Sequence, residues 1–219
     1  MPLKDNELVK LKDDIHKMAV LVEAAVDNAV KSLMDMDAVL AKKVARDDHF
    51  VNAMDVQIDE TCIRLIALRQ PVARDLRFIT TAMKITTDLE RMADNAVNIA
   101  NRVIELIAEI EEFALADIPQ MRDIALGMLT DAVASFLSGD KRLALDVMTR
   151  DHLVDELNEK VLNDLMELMT RDASTIIPAA KLSSISRYLE RIGDHATNIA
   201  EMVIYMVEGQ MVKHMKDYL

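Results

Sequence analysis

Glu90 and Asp94 stand four residues apart, and so do Glu190 and Asp194. On a helix that spacing puts both carboxylates on one face, where like charges cost roughly a few tenths of a kcal/mol. The chain does this twice, in matching contexts. The stretch Leu-Glu-Arg-Met-Ala-Asp-Asn-Ala-Val-Asn-Ile-Ala (89–100) aligns with Leu-Glu-Arg-Ile-Gly-Asp-His-Ala-Thr-Asn-Ile-Ala (189–200) at an offset of 100. Ten of the sixteen positions from 89 to 104 are identical to their counterparts. A weaker echo lies upstream, where Asp48-His49-Phe50-Val51-Asn52 resembles Asp151-His152-Leu153-Val154-Asp155. Clustered carboxylates without cysteine are a hard-ligand set, suited to Mg²⁺, Ca²⁺, Mn²⁺ or iron, with Zn²⁺ also possible. Four or more such oxygens suffice for more than one ion. Ala93 and Gly193, inside the motifs, are small enough to let a backbone or an ion come close.

The elements that carry these residues follow from composition and periodicity. Only four Gly, four Pro and 3% aromatics are present, which disfavours β-rich folds, while 51% apolar and 29% charged residues fit a packed helical protein. A formal charge of −12 argues against nucleic acid as a partner. Cys62 is the single cysteine, so no intrachain disulfide forms and a reducing compartment is expected. The start, MPLKDNELVK, has no apolar signal region. No uncharged apolar run approaches the ~18–20 residues that span a bilayer. A cytoplasmic protein is the expectation.

Apolar residues recur at helical spacing almost throughout. The first helix runs from about Lys4 to Met36, with Leu8, Leu11, Ile15, Met18, Val22, Val26, Val30 and Leu33 as its stripe. Asp37 suits the N-cap of a second helix reaching about Gln70, which Pro71 forces out of the α region. A third helix extends to about Ile110, and the aperiodic Glu111–Pro119 joins the two halves. Helix four spans about Ile118 to Leu137 and stops at Ser138-Gly139-Asp140. Helix five runs from about Lys141 to Thr170. A break at Arg171–Thr175 follows, with Ser174 as a cap and Pro178 tolerable in the first turn of helix six. That helix reaches about Val207, and Gly209–Leu219 forms a short tail. The expected fold is all-α: two tandem three-helix bundles related by internal duplication, over residues 1–112 and 113–219. Two copies of about 100 residues make a tandem duplication and not a solenoid.

Folding the second helix of each half back on the third brings the two echoes together. Asp48 with Asp94, and Asn52 with Glu90, share a midpoint at 71, which is Pro71. Asp151 with Asp194, and Asp155 with Glu190, share one at 172.5, inside the Arg171–Thr175 break. Each half therefore levels an upstream pair with a downstream pair, and Asp55 and Glu159 lie close enough along the chain to join. The bland alternative is a solvated acidic face balanced by Arg91, Arg102 and Arg191. Duplication and the matching midpoints favour clusters.

Weaker signals surround these. His49, His152 and His195 fall in or beside the motifs and read more readily as exposed or capping residues than as ligands. Asn98 and Asn198 recur one turn beyond each motif. Arg64, Arg69, Arg74 and Arg77 gather about Pro71; Arg69, Arg74 and Arg77 are candidates for an acidic partner, against a plain role for Arg69 at a helix C-terminus. No Gly-rich phosphate loop and no nucleophile constellation is present.

On the paired motifs and on Leu-Arg-Gln-Pro-Val-Ala-Arg-Asp-Leu-Arg (68–77), the sequence resembles the PhoU family of phosphate-uptake regulators over essentially its whole length. The resemblance implies two tandem three-helix bundles in a cytoplasmic, non-enzymatic homodimer. It implies multinuclear metal binding at the E(D)-x-x-x-D motifs, carried here by Glu90, Asp94, Asp151, Asp155, Glu190 and Asp194. The partners implied are the ATPase of the phosphate ABC transporter and a membrane sensor histidine kinase, so the membrane is met only through partners. Asn52 departs from the pattern, replacing an acid, which makes the second half the first place to look for metal. A carboxylate-bridged metal enzyme or metal store is the alternative, but that class uses inward Glu-x-x-His pairs. Asp13-x-x-His16 is the nearest approach, and it is unpaired. A purely structural helical protein would not need duplicated carboxylates.

Overall fold

The computed structural model of the chain describes residues 5–107 and 117–209. Seven α-helices account for them: α1 (Asp5–Met34), α2 (Ala38–Asp47), α3 (His49–Arg69), α4 (Ala73–Ile107), α5 (Ile118–Ser138), α6 (Lys141–Arg171) and α7 (Ile176–Glu208), with a 3₁₀ turn at Ala173–Thr175. The described residues contain no strand. The expected end of the third helix at Ile110, most of the Glu111–Pro119 joint and the tail beyond Gly209 lie outside them.

The stripe of α1 forms one wall of the core: Leu11, Ile15, Met18, Val22, Val26, Val30 and Leu33 are buried, and Leu8 packs against them. Asp37 caps α2, its Oδ1 accepting from the backbone N–H groups of Val39 at 2.8 Å and Leu40 at 3.0 Å. The single second helix expected of the first half is two. It bends at Asp48, where the N–H of Val51 bonds back three residues to the Asp48 carbonyl at 2.9 Å, a 3₁₀ tightening of the turn. Asp48 itself keeps right-handed dihedrals (φ −52, ψ −34), so the chain bends without leaving the helical region. Its counterpart α6 is unbroken.

The turn residues act largely as their chemistry demands. Gln70 leaves the right-handed region before Pro71, into the left-handed one (φ 49) rather than the extended one. Gly139 ends α5 at φ 73. The expected cap at Ser174 is not formed: Asp172 caps the 3₁₀ turn, its Oδ1 accepting from the Ser174 N–H at 2.9 Å and the Ser174 hydroxyl at 2.7 Å, and Thr175 at the start of α7 makes no side-chain cap bond. A carboxylate at that position accepts both bonds at once, and Ser174 becomes a donor.

Helices α1, α4, α7 and α5 close a ring of four, α1 packing on α4, α4 on α7, α7 on α5 and α5 on α1. α2 and α3 lie outside against α1 and α4, and α6 lies outside against α5 and α7. Helices α4 and α7 run antiparallel. Arg77 meets the Met206 carbonyl at 3.0 Å near one end, Asp88 meets His195 at 2.8 Å in the middle, and Glu105 meets Lys181 at 3.8 Å toward the other end. At the first of these ends Phe78 of α4 stacks on Phe136 of α5, with centroids 4.7 Å apart. No described helix is long and apolar enough to cross a membrane.

Candidate metal centres

Packing decides which way the carboxylates face. In α4 the buried face holds Phe78, Ile79, Ala82, Ile85, Leu89, Met92, Ala96 and Ile99, so Glu90 and Asp94 fall at its margin, on the side of α3. Glu90 is half-buried and Asp94 exposed, and Glu190 and Asp194 repeat those environments on α7. Because α1 and α5 cover the opposite side of the α4–α7 pair, both motifs open on the face away from them. Antiparallel pairing sets the two at about the same level. Arg91 and Arg191, beside them in sequence, are exposed.

Three of the four fold-back pairings act on one another: Asp48 with Asp94, Asp151 with Asp194 and Asp155 with Glu190. The Glu90 carboxyl is pushed up, first by burial and then by the charges of Asp94, Asp55 and Asp48, with Arg91 opposing. Burial and then Asp48 push Asp94 up. Across the molecule, burial followed by Asp194 and Asp155 raises Glu190 against Arg191 and Arg187. Asp194 is raised by burial and then by Asp151 and Asp155, with His195 and Arg191 opposing. Asp155 is raised by burial and by Asp151. Each half thus links four carboxylates electrostatically: Asp48, Asp55, Glu90 and Asp94 in one, Asp151, Asp155, Glu190 and Asp194 in the other.

Asn52 is therefore no deficit of charge. Continuing the upstream echo aligns Asp55 with Asn158, so acid and amide have exchanged places between the halves: Asp48, Asn52, Asp55 against Asp151, Asp155, Asn158. That exchange was visible in the sequence to anyone extending the alignment by one turn. Asn52 donates from Nδ2 to Asp48 Oδ2 at 2.8 Å. Asn158 accepts from the Ser186 hydroxyl at 2.6 Å. Glu159 is exposed and acts on none of the raised carboxyls, standing toward the hairpin tip beyond Asp155.

Among the described residues no three His, Cys, Asp or Glu side chains are gathered at ion-holding distance as they stand. The carboxylates lie within electrostatic reach of one another and not in a closed cage. Two observations nonetheless fit a hard cation. The donors are oxygens throughout, and Asp48 Oδ1 is a buried carboxylate oxygen with no hydrogen-bond partner.

Most of the remaining candidates are engaged elsewhere. His49 and His152 each donate from Nδ1 to the carbonyl three residues back, Arg46 at 2.8 Å and Thr149 at 2.6 Å, as capping residues do. His195 turns from Asp194 to Asp88 on α4. Arg69 grips Glu7 from Nε and Nη2, the shortest contact 2.8 Å, tying α3 to α1. Arg77 Nε donates to the Met206 carbonyl near the end of α7. Arg74 is exposed and lines a cavity of about 280 Å³ with Lys12, Phe78 and Phe136. Gly193 faces Val154, which a Cβ would meet at 3.5 Å, ordinary contact, so the glycine is not required by a close approach. Burial and Asp59 push the Cys62 thiol up to about 12, which keeps it inert.

A family model described as the PhoU domain matches the chain twice, over residues 15–103 and 118–203. A phosphate-specific transport system accessory protein PhoU homolog from Aquifex aeolicus is 42% identical over 208 residues, covering 95% of this chain and 94% of that protein. The homolog from Pseudomonas putida is 39% identical over 210 residues, covering 95% and 82%. The crystal structure of PhoU from Pseudomonas aeruginosa superposes with a TM-score of 0.90 at 38% identity, over 94% of this chain and 99% of that one. The phosphate transport system regulatory protein PhoU from Streptococcus pneumoniae does so with a TM-score of 0.86 at 27% identity. With the duplicated motif, the all-helical fold and these likenesses together, the chain belongs to the PhoU family.

Proposed function

We propose that this protein is a non-enzymatic regulator of phosphate uptake and of the phosphate-starvation response, acting from the cytoplasm by docking on partners. The partners are the ATPase of a phosphate ABC transporter and a membrane sensor histidine kinase. A homodimer presents the docking surfaces, and the membrane is reached only through the partners. Divalent or iron-type metal ions (Mg²⁺, Mn²⁺, Ca²⁺ or iron, with Zn²⁺ also possible) bind at the two acidic clusters and hold that face in its docking state. The observation that carries the reading is family membership along 95% of the chain, through relatives named as accessory proteins of phosphate transport. The unpartnered Asp48 oxygen and the four-carboxylate sets support the metal.

The test is a pull-down of ATPase and kinase by the full chain, in Mn²⁺ and in EDTA, with and without phosphate. Retention of at least one partner in Mn²⁺, reduced at least tenfold in EDTA or by Asp94→Ala with Asp194→Ala, is the expected result. Retention of neither partner sinks the regulatory reading. Oxidase or ferroxidase turnover by the metal-loaded protein would overturn its non-enzymatic character.

A further inference from the structure

One end of the ring of four helices holds a cavity that neither acidic cluster lines. It measures about 280 Å³ and lies between the halves, walled by Phe78 of α4, Phe136 of α5, and Met206 and Val207 of α7. Two cations stand at it, Lys12 of α1 and Arg74 at the start of α4. Lys12 uses one of its three donors on the Leu137 carbonyl at 2.7 Å and lies over the Phe78 ring, which leaves two. Among the described residues neither cation has a carboxylate within ion-pair distance. The acids at this end are committed: Glu7 to Arg69, Glu208 to Lys141, and Asp140 to the N–H groups of Arg142 and Leu143. Asp75 sits in the first turn of α4, where a negative charge complements the helix N-terminus. Apolar side chains face solvent here too. Val72 and Leu76, on either side of Arg74, are 75% and 38% exposed, and Val207 is 43% exposed. The feature is written once in the duplicated chain. At the offset of 100, Arg74 corresponds to Ser174 and Phe78 to Pro178, so the second half has neither the cation nor the ring.

We infer that this end docks an acidic segment of a partner protein, which seats one large apolar or aromatic side chain in the cavity and sets Asp or Glu against Lys12 and Arg74. The volume favours a side chain over a free ligand, since small-molecule sites run from about 300 to 1,000 Å³. Charge selects the acidic flank. The chain carries 38 acidic residues against 26 basic, so most of its surface repels an acidic segment, and cations without acid partners around an apolar hollow attract one. A pocketed apolar anchor with charges at its rim is also the arrangement in which a few residues carry most of the binding energy. Sixteen helical residues, about 24 Å, separate Arg74 from Glu90, so the contact is distinct from the acidic face. The inference rests on the regulatory reading above and names a contact by which a partner is held.

Affinities of the full chain for the purified ATPase and kinase, measured in Mn²⁺ by biolayer interferometry at a series of NaCl concentrations, test this. The wild type is expected to bind at least one partner, more weakly as salt rises. Arg74→Glu should weaken that binding about tenfold or more and flatten its salt dependence, while Arg74→Lys keeps most of it. Ser138→Phe, which plugs the cavity from an exposed position on its wall, should weaken it as much without flattening the salt dependence. Arg171→Glu, at the tip of the other hairpin, should leave it unchanged. All four variants should melt near the wild type, because the substituted side chains are exposed. Wild-type affinity in both Arg74→Glu and Ser138→Phe overturns the inference and leaves the regulatory reading standing. Loss in Arg74→Glu alone overturns the apolar anchor, and loss in Ser138→Phe alone overturns the acidic flank. An equal loss in Arg171→Glu overturns the placement. Variants that light scattering shows reduced from dimer to monomer would make this end the contact between copies, which overturns it as well. A wild type that binds neither partner overturns the regulatory reading, and this inference with it.

Discussion

Glu190 and Asp194 illustrate what a single carboxylate contributes in this fold. Burial and neighbouring acids raise both, so the folded protein holds their protons to higher pH than the unfolded chain does. Between the unfolded and folded values the native state binds more protons, and stability falls as pH rises through that window. At neutral pH the ionised pair therefore works against folding unless a cation compensates it. Glu190→Gln with Asp194→Asn should raise the melting temperature of the protein in EDTA by a few degrees at pH 7. Well below about pH 4, where the native carboxylates are protonated as well, the gain should vanish. Scanning fluorimetry at the two pH values checks it; an equal gain at both would mean the effect is not electrostatic.

At the scale of the element, the same helical plan is written twice with different local chemistry. Helix α7 carries Gly193 where α4 carries the buried Ala93. A methyl group at 193 would meet Val154 at 3.5 to 3.7 Å, which is normal packing. Gly193→Ala should then stabilise the protein by about 0.8–1.0 kcal/mol through helix propensity, measured by urea unfolding. A loss of stability would show that the α6–α7 groove is tighter than its geometry indicates. The bend at Asp48 has no equivalent in α6. Neither proline nor glycine marks it, so no local breaker announces it in the sequence.

The molecule as a whole is one core and not two. Phe78 of the first half stacks on Phe136 of the second, and Phe136 is buried within the ring of four helices. Lys12 of α1 donates to the carbonyl of Leu137, near the end of α5, and lies over Phe78. Phe136→Ala should cost about 3–5 kcal/mol and lower the stability of both halves together, so that unfolding stays a single transition. Calorimetry resolving two transitions, with only one moved, would show that the halves melt separately. The same ring brings both clusters to one face, because α1 and α5 cover the other side of α4 and α7.

Much of this was legible in the order of residues. The stripe of α1, the Asp37 cap, the Pro71 turn and the pairing of Asp48 with Asp94 and of Asp151 with Asp194 all follow from period and midpoint. These are short-range facts, governed by helix geometry and the stereochemistry of a few turn residues. The exchange of Asp55 and Asn158 was equally written there. What only the tertiary structure decided is how the two halves meet, since the antiparallel pairing of α4 and α7 depends on side chains more than a hundred residues apart, such as Asp88 and His195. It also decided which polar groups are used up internally, as Arg69 and Arg77 are, and which are left bare, as Asp48 Oδ1 is. Hydrogen-bond satisfaction is a property of packed surroundings, and no spacing along a chain specifies it.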